Sequence, residues 1–447
     1  MNMGFQKLNI GSFSKRAKPR LVSTGWLGIA LCISPAWGQT SMPAPASQAL
    51  TIQALYAAAQ QSHPLLVAAR LEADAGKIDV TAVERQRWPT FSAVLESNTG
   101  NTSSQPSRSL RVQQIIWDGG LNSSRVTEAE NQVLISQFKV QLQQRQLFLQ
   151  ITQAWQAMRA AHARVQVAQK TMARLNGFRV QMQRRVDAEA SSSIDLVLAN
   201  SRHLQTQVEL DAAQRNLKVA LLKLEQLSGE VNLRERLPTL APFPALLSSV
   251  AFLQQLQQTD WVDLATRSPS VQIAKSDVVS AQNRLRTKEA EKWPQLYVRV
   301  DKPVGNNAFN ANNSAVAFAG LSYSPGAGFS NAVEAEALTK RIAKSDQGVA
   351  TAMKDIQETL QNDREEFLNA YAQISALEKS VSGADMVLAS FERQFQANRK
   401  TWLDLLNQVR ELAQNEYALV DAQASLVGSR LRLDINMDPN TLATAQP

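Results

Sequence analysis

Trp293-Pro294-Gln295-Leu296-Tyr297-Val298-Arg299-Val300-Asp301 is a frame that the chain has already used once. Trp88-Pro89 opens the first copy, and each Trp-Pro lies twenty-five residues beyond an earlier pair, His63-Pro64 or Ser268-Pro269. The copies stand 205 residues apart at both landmarks, 64 to 269 and 89 to 294. In the quoted segment Leu296, Val298 and Val300 fall on one face of a strand, and Tyr297, Arg299 and Asp301 on the other. Each Trp-Pro opens a short segment of this kind, then a Gly-rich turn, then a very long stretch that reads as helix. An internal duplication of this size, with strands between long helices, restricts the architecture more than any single residue does.

Working outward, residues 50–87 read as helix interrupted at Pro64, and residues 91–98 and 109–117 as strands joined by the turn-rich residues 97–104. Asp118-Gly119-Gly120 ends that hairpin. From residue 121 to 185 the only breaker is Gly177. Leu147, Ile151, Ala154, Met158, Ala161, Val165, Ala168, Met172 and Leu175 alternate at spacings of four and three, a heptad seam that requires partner helices. A second helix covers roughly 193–227, and residues 236–249, with Pro238, Pro242 and Pro244, form an irregular connection. The second half repeats the plan. A helix spans 261–292, strands lie near 295–301 and 315–324, and Pro325-Gly326-Ala327-Gly328 ends the hairpin. The heptad then returns from Val349 to Phe395, broken only at Asp363. The last helix occupies about 401–433.

The first residues read as a secretory signal. Lys7, Lys15, Arg16, Lys18 and Arg20 precede the apolar run 21–33, and Ala36-Trp37-Gly38 has small residues where a signal peptidase cuts. The formal charge of +8 falls to +3 without residues 1–38, which hold five basic residues and no acid. A charge this small on mixed-sign helices gives no case for nucleic acid as partner. The single cysteine, Cys32, lies inside the signal, so the mature chain forms no disulfide. The expected organisation is a signal peptide (1–38), a disordered leader (39–49), a first repeat (50–230), an equatorial connection (231–257), a second repeat (258–435) and a tail (436–447).

A helix of about 65 residues spans roughly 100 Å, deeper than any compact domain. The strands, near ten residues, suit a tilted membrane crossing. Four strands cannot close a barrel, and open edges in lipid are prohibitive, so the chain must borrow strands from identical copies. Three copies give twelve strands around an aqueous bore. A soluble coiled-coil scaffold capped by a small sheet is the alternative from another class.

At this point the residues resemble a family. The duplicated helix–hairpin–helix–helix plan, the segment from Ser109 to Gly120 (Ser-Leu-Arg-Val-Gln-Gln-Ile-Ile-Trp-Asp-Gly-Gly) and the two proline frames are similar to those of TolC-type outer-membrane factors. The resemblance covers essentially the whole mature chain. It implies an α+β membrane protein in the outer membrane: a trimeric twelve-stranded β-barrel continued through the periplasm by a coiled-coil helical barrel. It also implies a homotrimer working with a periplasmic adaptor (membrane fusion) protein and an inner-membrane transporter, and no cofactor or metal.

Two helix–turn–helix tips correspond to the family's adaptor-contacting ends: Val186, Asp187, Ala188 and Glu189 in the first repeat, Ala397, Asn398 and Arg399 in the second. Many drug-efflux members carry Val-Gly there, and this chain does not. Asn398 can take the left-handed conformation that glycine supplies, whereas Glu189 is a poor substitute. The family's pore constriction maps onto Asp404, with Asn407 one turn further and Lys400 in the position of a basic residue that ties inner to outer helices. Three copies of Asp404 in a narrow pore would repel and raise one another's pKa. The same carboxylate could equally serve the helix dipole.

The departures at the tips and in the second hairpin, which ends Ser324-Pro325-Gly326, point to the type I, ABC-transporter-driven protein secretion members, including those that export large adhesins. Small-molecule efflux is the alternative. Catalysis is not expected. His63, His162 and His203 form no metal pattern, and no phosphate loop or Gly-x-Ser-x-Gly turn occurs.

Overall fold

A computed structural model describes residues 49–96, 107–243, 250–304, 314–324 and 326–437. The signal, the leader, most of the hairpin turns and the last ten residues lie outside this set. The helices are α1 (Ile52–Ser62), α2 (Pro64–Arg85), α3 (Leu121–Asp187), α4 (Ser193–Ser228), α5 (Leu233–Arg236), α6 (Val250–Gln258), α7 (Trp261–Thr266), α8 (Pro269–Ala290), α9 (Ser330–Gln396) and α10 (Trp402–Met437). The strands are β1 (Thr90–Glu96), β2 (Ser107–Trp117), β3 (Gln295–Pro303) and β4 (Val316–Ser322). Among the described residues no helix is long and apolar enough to cross a membrane.

The duplication is plain in the elements. Pro64 and Pro269 each occupy a first helical turn, where their missing N–H is not needed. Each is followed by a 22-residue helix, a hairpin, a 67-residue helix and a 36-residue helix. At 1.5 Å per residue α3 and α9 each run about 100 Å. Gly177 does not interrupt α3, because its neighbours hold the helix through their packing. The seam from Leu147 to Leu175 is buried apart from Met172, which packs from a half-buried position.

The two hairpins join into one antiparallel sheet in the order β1-β2-β3-β4. Asp118 makes the strand-to-helix turn: its carboxylate accepts from Gly120 N at 3.0 Å and Asn122 N at 2.8 Å, capping α3. Gly119 there has φ +64, and a Cβ on it would stand 2.8 Å from Trp293 Cβ. The first repeat's turn thus packs directly against the second repeat's Trp-Pro.

At the helical equator, Leu55, Tyr56, Phe148, Ile151, Met158, Leu224 and Leu233 form one core cluster. Tyr56 stacks on Phe148 at 4.5 Å, and its hydroxyl meets Thr152 Oγ1 at 2.5 Å. Asp363, which breaks the heptad, is no surface defect. It is buried and accepts from Arg432 Nε at 2.6 Å, while Arg432 also donates to Glu366 at 2.5 Å and to Gln156 at 3.2 Å. Burial pushes Asp363 above the usual carboxylate range, against the pull of Arg432. Gln156 reaches this network only because position 428 is glycine: a Cβ there would meet the Gln156 side-chain amide.

One boundary needs correction. The last helix runs to Met437, not 433, so Asn436 does not start a loose tail. Asn436 is buried and takes a hydrogen bond from Arg145, whose other guanidinium nitrogen donates to Ser268 Oγ at 3.0 Å. A buried guanidinium needs such partners, and the added helical turn supplies one.

Candidate functional site

Strand alternation sorts the sheet into two faces. The register places Phe91, Val112 and Val300 in one row, Leu110 beside Ala93, and Val298 beside Ala319, so one face is mainly apolar, with Arg108, Gln114 and Lys302 as its polar members. The opposite face carries Ser92, Arg111 and Asp301 in one row and Thr90, Gln113, Arg299 and Phe318 in the next. Trp88, Trp117, Trp293, Tyr323 and Phe329 are exposed where the strands meet the helices, the arrangement of an aromatic belt at a membrane interface. β1 and β4 have no outer partner among the described residues.

On the polar face Arg111 donates to both Asp301 oxygens, at 2.9 and 3.4 Å. Arg299 stands 3.1 Å from the same carboxylate and lies over the Phe318 ring at 4.7 Å. Beside them the Tyr297 ring covers Gly320, where a Cβ would approach its hydroxyl to 2.5 Å. The alternation already placed Tyr297, Arg299 and Asp301 on one face. Their junction with Arg111 needs the β2–β3 register, which no local pattern carries.

The helices close side by side. α2 and α8 flank α3 at the strand end, with α9 beyond α8; towards the tips α4 flanks α3, and α10 lies between α3 and α9. The two tips come together. Arg185 donates to Asn398 Oδ1 at 2.7 Å, bridging them, and to Ser191 Oγ at 3.2 Å. Phe178, Phe395 and Trp402 pack beneath, with ring centroids 6.1 and 5.4 Å apart. Sequence reading missed Arg185 and this aromatic lock; the regular spacing of the apolar residues was its one signal.

Glu189 and Asn398 both adopt the left-handed conformation, φ 56 and 54. Ala190 N donates to Arg185 O, and Arg399 N to Gln394 O, both at 2.8 Å, the six-to-one bond of a Schellman end. Glutamate at 189 thus takes the same turn as Asn398, in a left-handed conformation that strains its backbone. Ala188 and Ala397 are the C-caps, Val186 packs on the tip core, and Asp187 accepts from Gln183 at 2.7 Å. Glu189→Gly should stabilise the chain by about 1 kcal/mol. A denaturation midpoint that stays put or falls would count against the strain.

Asp404 forms a capping box with Thr401: its carboxylate accepts from Thr401 N at 3.2 Å and Oγ1 at 2.8 Å, and Thr401 Oγ1 accepts from Asp404 N at 3.2 Å. These bonds hold Asp404 below the ordinary carboxylate range, with Lys400, 3.9 Å away, contributing less. Lys400 lies 4.3 Å over the Phe391 ring. Asn407 is exposed one turn along. Within one chain Asp404 is thus a helix cap, and the mutual repulsion of three copies belongs to an assembly.

Comparison with known proteins adds a likeness. Residues 55–230 match the family model described as outer membrane efflux protein. No curated protein sequence matches the chain. The outer membrane protein VceC of Vibrio cholerae superposes with a TM-score of 0.72 at 14% identity, over 86% of this chain and 95% of that one. A membrane protein of Pseudomonas aeruginosa gives 0.71 at 16% identity, over 86% and 90%. The open-state MtrE outer membrane channel of Neisseria gonorrhoeae gives 0.68 at 15%, over 86% and 88%. These likenesses give the fold, and the family match lies within the first repeat. In its first repeat the chain is thus similar to the outer membrane efflux proteins, whose family model it matches over residues 55–230, and in its fold to solved outer-membrane channels.

Proposed function

We propose that three copies close into one twelve-stranded barrel continued by a helical tunnel, forming the exit duct of a type I, ABC-transporter-driven protein secretion system. The observation that carries the duct is the two-faced sheet with both outer strands unpaired among the described residues. Such a sheet in lipid must close on neighbours, and four strands per copy make three copies a workable barrel. Exposed apolar stripes on α4 (Val197, Leu204, Val208) and α2 (Leu71, Ile78) support the same closure along the helices.

Energy must come from an inner-membrane transporter, reached through a periplasmic adaptor that docks on the paired tips. Glu189, Asn398 and Arg399 there favour an adaptor other than the usual drug-efflux one, and with it protein cargo such as a large adhesin. Asp404, Asn407 and Lys400 are proposed to line the periplasmic entrance. The family model's own description favours the second reading, small-molecule efflux.

Protein extracted from outer membranes in detergent should run as a trimer that heating dissociates, and should conduct in planar bilayers. A water-soluble monomer without affinity for bilayers would overturn the duct. A deletion strain should lose a secreted protein; unchanged secretion with raised drug sensitivity would replace secretion by efflux.

A further inference from the structure

We infer that the groove between α3, α10 and the connecting residues 240–243 binds a small amphiphilic carboxylate that carries a hydrogen-bond donor at its far end. The site lies in the helical section and goes beyond the duct, whatever cargo the duct carries. A cavity of about 500 Å³ fills this groove, within the range of small-molecule pockets. The α3 residues that line it run from Arg159 to Lys170, roughly 16 Å of helix at 1.5 Å per residue. Phe243, Val381, Leu419 and Val420 supply apolar walls.

Two buried polar atoms in this groove have nothing to bond. Arg159 is only 3% exposed. Its Nη1 donates to Ala241 O at 2.6 Å, and the guanidinium lies 4.3 Å over the Phe243 ring, but Nε has no acceptor. Burial lowers the Arg159 pKa to about 10, and no carboxylate counters that shift. Residues 244–249, Ala-Leu-Leu-Ser-Ser-Val, hold no charged side chain. A guanidinium this deep without a counter-ion is costly, and the free edge of its fork matches a carboxylate. At the Lys170 end, Lys170 donates to Glu416 Oε1 at 2.5 Å, while Glu416 Oε2 is buried without a donor. Lys170 and Glu416 balance each other, and burial with the charge of Arg159 lowers the His162 pKa and keeps that ring neutral. Among the described lining residues, the charge left over is that of Arg159.

The duplication shows that packing does not require arginine at this level. Arg159 lies 38 residues after the start of α3 at Leu121, and 38 residues after the start of α9 at Ser330 stands Leu368. Leu368 packs on the cluster that holds Phe252 and Phe367. An apolar side chain therefore meets the packing demand, and the buried arginine needs another reason. A ligand that sets a carboxylate on Arg159, lays its apolar body on Phe243 and Val420, and donates a hydroxyl or ammonium to Glu416 satisfies both atoms at once.

The test is calorimetric titration of the full-length protein in lipid nanodiscs, with empty nanodiscs subtracted. ω-Hydroxydecanoate stands for a lipid-derived ligand and aminophenylbutyrate for a water-borne one; both should bind, and the tighter identifies the source. Decanediol, which lacks the carboxylate, and decanoate, which lacks the donor, should each bind at least about tenfold more weakly than ω-hydroxydecanoate. Arg159→Leu should lower the affinity for ω-hydroxydecanoate at least about tenfold, while its melting temperature holds or rises because an apolar residue replaces an unpaired buried cation. A purely structural arginine would instead lower the melting temperature. Arg159→Lys keeps the charge but loses the fork, and its affinity should fall between the two. Folded wild type that binds neither acid, or equal affinity in wild type and Arg159→Leu, overturns the site. Decanoate binding as tightly as its hydroxylated form overturns the Glu416 end. Binding by protein that passes no current in bilayers overturns the duct alone, and conducting protein that binds neither acid overturns the site alone.

Discussion

Arg432→Leu is expected to destabilise the chain by about 3–5 kcal/mol, the usual cost of stripping the partner from a buried ion pair. Arg432 is 13% exposed and Asp363 11%, and one guanidinium serves Asp363, Glu366 and Gln156 together. Glu366, 43% exposed, can turn to water, but Asp363 cannot. The size of the loss should depend on pH. Burial already raises the Asp363 pKa, and removing Arg432 raises it further. A carboxylate whose folded pKa lies above its unfolded value costs stability above that folded pKa, and the cost fades as pH falls through it. The variant should therefore recover on acidification. Arg432→Leu combined with Asp363→Leu should regain most of the loss at neutral pH, since an apolar pair of similar volume replaces the charges. Thermal melting of the detergent-solubilised protein reads all three. Equal melting of the two variants at neutral pH would remove the network from the account of stability.

The second large effect concerns assembly. Leu204→Asp on α4 and Ile78→Asp on α2 should abolish the trimer while leaving the single chain folded. Both side chains are exposed in one copy, at 65% and 70%, so a carboxylate there costs the isolated chain almost nothing. In the proposed trimer the exposed apolar stripes that carry them, on α4 and α2, lie in the seams between copies. Burying an unpaired carboxylate costs several kcal/mol, and threefold symmetry repeats the cost at every seam. Leu204→Ser, which buries only a hydroxyl, should weaken the trimer less. Size-exclusion chromatography in detergent, with circular dichroism to check helix content, separates loss of assembly from loss of fold. A trimer that survives both aspartates would place the interface elsewhere.

What the sequence made legible follows from the range of each signal. The proline frames, the alternation in β3 and the heptads of α3 and α9 are local patterns, and each became the expected element. Asp363 looked like an interruption because its partner Arg432 lies 69 residues away on another helix. Asn436 looked like a tail for a similar reason: Arg145, which it satisfies, is 291 residues distant. At the tips the sequence showed a missing glycine but not that Glu189 would be forced into the same turn, because cooperative helix packing decides that conformation. The cluster of Arg111, Arg299 and Asp301 was half visible. One strand displayed Arg299 and Asp301, and the strand register brought Arg111 to them.

The matched lengths of the two repeats carry a consequence for how such a chain can evolve. α3 and α9 have 67 residues each, and α4 and α10 have 36, so both tips end level and Arg185 can clasp Asn398. Adding seven residues to α3 alone would lift one tip by about 10 Å and unfasten the clasp. The reach of the protein toward its partners can therefore grow only in whole heptads, inserted in concert into all four helices. Relatives of different length should differ by such coordinated sets and never by a lone insertion.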